Sequence, residues 1–254
     1  MSRLLQRRAC FEATSVAFSQ VAIERTKGSK PFMANKPRYA AGALSGGANW
    51  NFNVSHEGKY VCIATEPAMV CGVDVAAPEA HRGGKKRGID ENLNMMKGQL
   101  TNSEMFTIQS ARPDEQRMED LFRRFWSLKE AFTKARGDGL GFEFSRCDFA
   151  LGEMVTGSNG QPVQLATVKV DGKPLPQWRF FIQDMSEGHW ISVARGPPTD
   201  IIDAHGRFKS TFGESLTAAQ IVEELDRPEP SWSLKRPVDL IADDMQEKYL
   251  KIVS

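Results

Sequence analysis

The chain has 254 residues, 41% of them hydrophobic, and its charges nearly cancel to a net +1, so it can bury a core for one large domain or two small ones and carries no global field. That balance excludes bulk attraction to nucleic acid or an anionic membrane, and no apolar run reaches the length of a membrane span. The four cysteines (Cys10, Cys62, Cys71, Cys147) show neither zinc-type spacing nor a disulfide framework, which points to thiols in a reducing, cytoplasmic setting.

Leu4, Leu5, Ala9 and Val16 recur at helical spacing and predict an amphipathic core helix over 2–20, with Ser2 as its cap. The Arg-rich start also suits a targeting peptide, but Glu12 interrupts it and no cleavage-type motif follows. Residues 24–35 are polar and read as a loop, and 42–48 as a small, flexible stretch. Trp50, Phe52 and Val54 alternate with polar residues and predict a strand. A turn at 56–59 and a second strand over 60–65 complete a hairpin with a longer loop, and 70–75 reads as a short strand. A loop and helix are expected over 76–98, with a basic cluster at 81–88 that reads first as a solvated loop. Thr101 and Glu104 have capping-box spacing.

A long helix is expected over 118–136, stopped by Gly137 and Gly139. Strands follow over 142–151, 163–170, 178–183 and 190–195, the last two joined by a turn at 186–188. Beyond 197 the proline interruptions predict a loosely attached tail, with a short helix near 218–225. The order helix and strands, then helix and strands again, fits an α+β fold of two similar halves: 1–75, 76–196, and the tail 197–254.

On the long helix Leu121, Phe125, Leu128, Phe132 and Ala135 form a buried stripe, while Trp126, Glu130 and Lys134 share another face. Alone, Glu130 and Lys134 are an ordinary surface pair, but Trp126 beside them argues that this face is not simply bathed in water. Asp74 ends an otherwise apolar strand; it is either a cap for the next turn or a ligand for a hard cation such as Mg²⁺. Ser55 and His56, with Arg25, Lys27 and Lys30, could donate to phosphate oxygens. No serine-hydrolase elbow accompanies Ser55.

The segments FNVSHEGKY (52–60), GVDVA (72–76) and RFWSLKEAFTKARGDGLGF (124–142) resemble the 4′-phosphopantetheinyl transferase superfamily, in its long two-half class and most like the animal-type enzymes. The loop RTKGSKP (25–31) and LTNSE (100–104) agree. The resemblance, over about 2–195, implies a pseudo-dimer of two α+β halves with coenzyme A in the cleft between them. It implies Mg²⁺ on Asp74 and Glu130, and Lys134 near the phosphates. Further contacts to coenzyme A are implied from Arg25, Lys27, Gly28 and Lys30 in one loop and from Asn53, Ser55 and His56 in another. The implied reaction moves the phosphopantetheine arm to a serine of an apo acyl or peptidyl carrier protein, with Glu130, Lys134 and His56 as catalytic residues and the enzyme a monomer. Many relatives carry a third carboxylate where this chain has Ala76, and Glu57 is the expected substitute ligand. The long class also has a stretch before the first helix, so the first half is expected to be N-terminally incomplete and the chain less stable and less active than its relatives. A non-catalytic binder of coenzyme A or carrier, on the same fold, is the alternative reading. The basic cluster, with Arg82, Lys85, Lys86 and Arg87, is the expected docking aid for an acidic carrier.

Overall fold

The structure, a computed structural model, describes residues 1–37, 47–78, 88–203, 205–228 and 232–253. All of the basic cluster except Gly88, and 42–46 of the small-residue stretch, lie outside the described residues. Helix α1 (Ser2–Thr14) is shorter than its periodicity predicts, because Ser15 turns left-handed (φ 57°) and its N–H closes on the Phe11 carbonyl. Its cap is Met1, not Ser2, whose hydroxyl instead accepts from Gln6.

The expected loop over 24–35 contains two short antiparallel strands, β1 (Ile23–Arg25) and β2 (Pro31–Met33). The hairpin of β3 (Asn51–Glu57) and β4 (Tyr60–Glu66) is present, but Glu57 pairs with Tyr60, so the tip is Gly58-Lys59 and not a longer loop. Next come β5 (Val70–Ala76), α2 (Ile89–Met96), α3 (Asn102–Gln109) and α4 (Glu115–Arg136). Single 3₁₀ turns at Gly139–Gly141 and Phe144–Arg146 occupy the start of the expected strand at 142, so β6 begins later, at Cys147–Thr156. The chain continues through β7 (Pro162–Val170), β8 (Lys173–Pro174), β9 (Arg179–Met185) and β10 (His189–Gly196).

Strands β5 to β10 make one antiparallel sheet in the order β5-β10-β9-β7-β6, with β8 on β7, while β1-β2 and β3-β4 are separate two-stranded sheets. The architecture is therefore mixed α+β. Strand β5 pairs with β10 from Val70 to Ala76, so a division at 75/76 cuts through a strand of the large sheet. The long helix α4 lies on this sheet through Phe125, Leu128, Phe132 and Ala135, as the apolar spacing predicts, while Leu121 is only partly buried. Gly72 lets β5 touch α4 directly: a Cβ there would stand 2.0 Å from the Ala131 carbonyl and 2.5 Å from the Ala135 amide.

The free edge of β5 is closed by side chains instead of another strand. Asn51, Asn53, Ser55 and Glu57 on β3 accept from the amides of Cys71, Val73, Val75 and Ala77 in turn. These alternate residues of β3, buried at Asn51, Asn53 and Ser55 and half-buried at Glu57, thus form a polar rail that satisfies the edge N–H groups and docks the hairpin on the sheet.

Two buried ion pairs tie the elements together. Lys129 on α4 meets Glu104 at 2.9 Å with both side chains fully buried, and its ammonium also donates to the Phe144 and Cys147 carbonyls. Glu104 closes the predicted capping box with Thr101 and accepts from the Phe149 amide. Arg195 on β10 meets Glu66 on β4 at 2.7 Å and donates to the Glu224 carbonyl of α5 (Ala218–Leu225), the short helix predicted in the tail. The tail, which ends in α6 (Gln246–Val253), buries Ile201, Phe208, Leu225 and Leu240 against the rest of the molecule, and Phe208 lies 5.8 Å from Phe32. Among the described residues, no helix is long and apolar enough to cross a membrane.

Candidate active site

A cavity of about 1040 Å³ opens between the loop after β1, the end of β3 and the outer face of α4. It gathers Arg25, Lys27, Gly28, Lys30, Asn53, Ser55, His56, Glu130 and Lys134 from the sequence-predicted set. Asp74 stands behind this wall, reached through Ser55 and Lys134. The predicted i, i+4 face holds: Trp126, Glu130 and Lys134 all line the cavity.

At its centre Asp74 Oδ1 accepts from Lys134 Nζ at 2.5 Å and from Ser55 Oγ at 2.9 Å. Lys134 also lies 3.2 Å from Ser55 Oγ and 4.0 Å from Glu130 Oε2. Ser55 further accepts from the Val75 amide, so its hydroxyl is a fixed link and not a free nucleophile. Burial raises the Asp74 pKa against the opposing pull of Lys134, with a smaller push from Glu57. Burial likewise raises Glu130, and the charges of Asp74 and Glu57 add to it. Three carboxylates thus sit in one another's field, with Lys134 the cation that offsets Asp74 and Glu130.

Among the described residues, no three His, Cys, Asp or Glu side chains converge as a complete metal cage. One buried carboxylate, Asp74, and one half-buried carboxylate, Glu130, with a single cation between them, leave an excess negative charge that matches a hard divalent cation keeping water and substrate oxygens as its other ligands. Glu57, the expected third ligand, spends Oε2 on the Ala77 amide at 2.6 Å, while its charge is felt at both other carboxylates.

The other predicted contacts divide by exposure. Arg25, Lys27 and His56 are exposed to the cavity, and Arg25 braces its loop through the Ser29 carbonyl. Gly28 rests on the turn that ends α4, where a Cβ would meet the Gly137 carbonyl at 2.3 Å. Asn53 is buried, with its carbonyl oxygen engaged by Val73. Lys30 is also buried, and its ammonium donates to the Cys71 and Lys134 carbonyls and faces the Phe208 ring, so it joins β5 to α4 from within. Residues beyond the prediction are Gln99, Thr133, Phe142 and Phe144 in the wall. Thr133 was within reach from sequence, being the residue next to Lys134 on a helix already placed; the aromatics after Gly141 gave no periodic signal.

The sequence matches two family models: "4′-phosphopantetheinyl transferase, N-terminal" over residues 1–68, and "4′-phosphopantetheinyl transferase superfamily" over residues 70–194. Among curated proteins, the L-aminoadipate-semialdehyde dehydrogenase-phosphopantetheinyl transferases of Rattus norvegicus and Homo sapiens are each 33% identical over 196 residues, covering 77% of this chain and 60% of those proteins. A phosphopantetheinyl transferase of Thraustochytrium sp. is 31% identical over 195 residues, covering 76% of this chain and 61% of that one. The chain thus spans about 60% of the length of the curated relatives it matches. The solved Thermotoga maritima holo-[acyl-carrier-protein] synthase is 22% identical with a TM-score of 0.32, over 50% of this chain and 62% of that one, a likeness too slight to bear on fold or function.

Proposed function

Because this chain belongs to the 4′-phosphopantetheinyl transferase superfamily, we propose that it transfers the 4′-phosphopantetheine moiety of coenzyme A to a serine of an apo acyl or peptidyl carrier protein. The observation that carries this reading is the cluster of Asp74, Ser55, Lys134 and Glu130 beside a loop that exposes Arg25 and Lys27. Such a cavity suits a diphosphate ester. The two similar halves implied by the sequence would then supply its opposite walls, the loop and β3 from one and α4 from the other.

Asp74 and Glu130 are the residues that would hold Mg²⁺, with Glu57 contributing charge from behind. When bound, the ion supplies Lewis-acid stabilisation of the diphosphate oxygens. In the reaction the carrier serine oxygen attacks the phosphorus that bears the pantetheine arm, and the bond from that phosphorus to the bridging oxygen breaks. The serine proton passes to Glu130, directly or through a water, and adenosine 3′,5′-bisphosphate leaves with the bond electrons. Lys134 stabilises the departing oxygen, and His56, Arg25 and Lys27 hold phosphate groups at the cavity rim. A cytoplasmic monomer that needs neither nucleic acid nor membrane completes the proposal.

The test incubates the protein with coenzyme A, Mg²⁺ and an apo acyl carrier protein, and follows the carrier's mass. A phosphopantetheine adduct is expected. Its absence, where an authentic transferase produces one, overturns the catalytic reading and favours a binding-only protein.

A further inference from the structure

We infer that His189, which does not line the cavity, is a positioning residue for the ion site: it latches the tip of the β3–β4 hairpin and so sets Glu57. This inference rests on the transferase reading above. The hairpin is a two-stranded sheet of its own, held to β5 by the rail of β3 side chains. A lone hairpin of that size is barely stable, so whatever fixes its tip decides how well its last residues are placed. Glu57 is the last rung of the rail and stands directly before the tip, Gly58-Lys59.

The tip lies against the turn Ser186–Gly188 that joins β9 to β10. His189, the first residue of β10, is fully buried between them. Its Nε2 accepts from the Lys59 amide at 3.4 Å, and its Nδ1 stands 3.1 Å from the Ser186 carbonyl. A ring nitrogen facing a carbonyl must donate and one facing an N–H must accept, so these partners select the Nδ1–H tautomer. Gly58, at φ 55°, makes the fit possible: a Cβ there would stand 2.3 Å from Nε2. The Tyr60 ring meets the imidazole edge-on at 5.0 Å, and its hydroxyl bonds that of Ser186. The Lys59–Glu187 ion pair over the same junction is half exposed and adds little. The turn is itself anchored to α4, because Arg123 donates to the Gly188 carbonyl. The helix that carries Glu130 thus holds the turn, the turn holds the tip through His189, and the tip holds Glu57.

Hydrogen–deuterium exchange of the full chain and the Mg²⁺ dependence of transfer test this together. His189→Phe keeps a ring against Tyr60 but loses both hydrogen bonds. Amides at 57–60 should then exchange about ten-fold faster, with β9 and the middle of β10 unchanged. The Mg²⁺ concentration for half-maximal transfer should rise several-fold, and His189→Gln, whose amide oxygen can take the Lys59 N–H, should recover part of both effects. Combining His189→Phe with Glu57→Gln should demand no more Mg²⁺ than the worse single variant, because both act through one carboxylate. Unchanged exchange at the tip, an unchanged Mg²⁺ requirement, or effects that multiply in the double variant would each overturn the role. A wild-type chain that makes no adduct overturns the transferase reading itself, a result distinct from these because it precedes any substitution.

Discussion

Asp74 Oδ1 and Lys134 Nζ stand 2.5 Å apart where strand β5 crosses the last turns of α4. The contact depends on how closely the two backbones approach, and Gly72 sets that approach. Asp74 is therefore neither a loop cap nor a lone buried charge. It is the inner member of a cluster that ends at half-exposed Glu130.

Asp74→Asn preserves the shape of the side chain and an acceptor for Ser55 but removes one negative charge. Transfer to the carrier should fall about a hundred-fold or more, with far-UV circular dichroism unchanged. Near-normal turnover in this variant would remove Asp74 from the proposed ion site.

Glu57 can be separated from its neighbours because Glu57→Gln keeps an oxygen for the Ala77 amide. Stability should then stay within about 0.5 kcal/mol, while the Mg²⁺ concentration for half-maximal transfer rises several-fold. An unchanged Mg²⁺ requirement would confine Glu57 to its structural hydrogen bond.

Gly72→Ala tests the approach of β5 to α4. The added methyl would meet backbone atoms that cannot swing aside, so unfolding in urea should come earlier by about 1–3 kcal/mol or more. Gly98→Ala meets nothing within 4 Å and should stay within about 0.5 kcal/mol.

Lys129→Met leaves Glu104 charged and buried without its cation. A loss of about 3–5 kcal/mol is expected by denaturant titration, since breaking such a pair strands a charge in the interior. A loss below about 1 kcal/mol would mean that the pair contributes nothing beyond packing.

Burial pushes the Lys30 ammonium from its ordinary 10.5 down to about 8. Below that value folded and unfolded chains both carry the proton. Between about 8 and 10.5 only the unfolded chain does, so this lysine makes stability rise with pH through that window. The stability of wild type relative to Lys30→Met should therefore increase from about pH 7 to about pH 10, and a flat difference would contradict the shift.

The long helix was readable because its apolar spacing, its glycine stop and the Glu130–Lys134 interval are all local. The Thr101–Glu104 cap was readable for the same reason, but its second role was not. Glu104 also pairs with Lys129, a helix residue outside the predicted apolar stripe that the fold encloses completely. The alternation in β3 gave a strand, yet polar residues at period two ordinarily signal a face turned to water. Here Asn51, Asn53, Ser55 and Glu57 face the edge of β5, a relation between segments that no local pattern carries. Lys30 shows the same limit: it is expected to reach phosphate oxygens, but its ammonium turns inward to two carbonyls.

Phe208 gives the tail an unexpected bearing on descent. Its ring lies beside the Lys30 ammonium and against Phe32, so part of the floor beneath the cationic loop comes from far downstream. A chain altered only beyond residue 197 can thereby keep every residue of the cavity wall and still lose part of the packing that supports it.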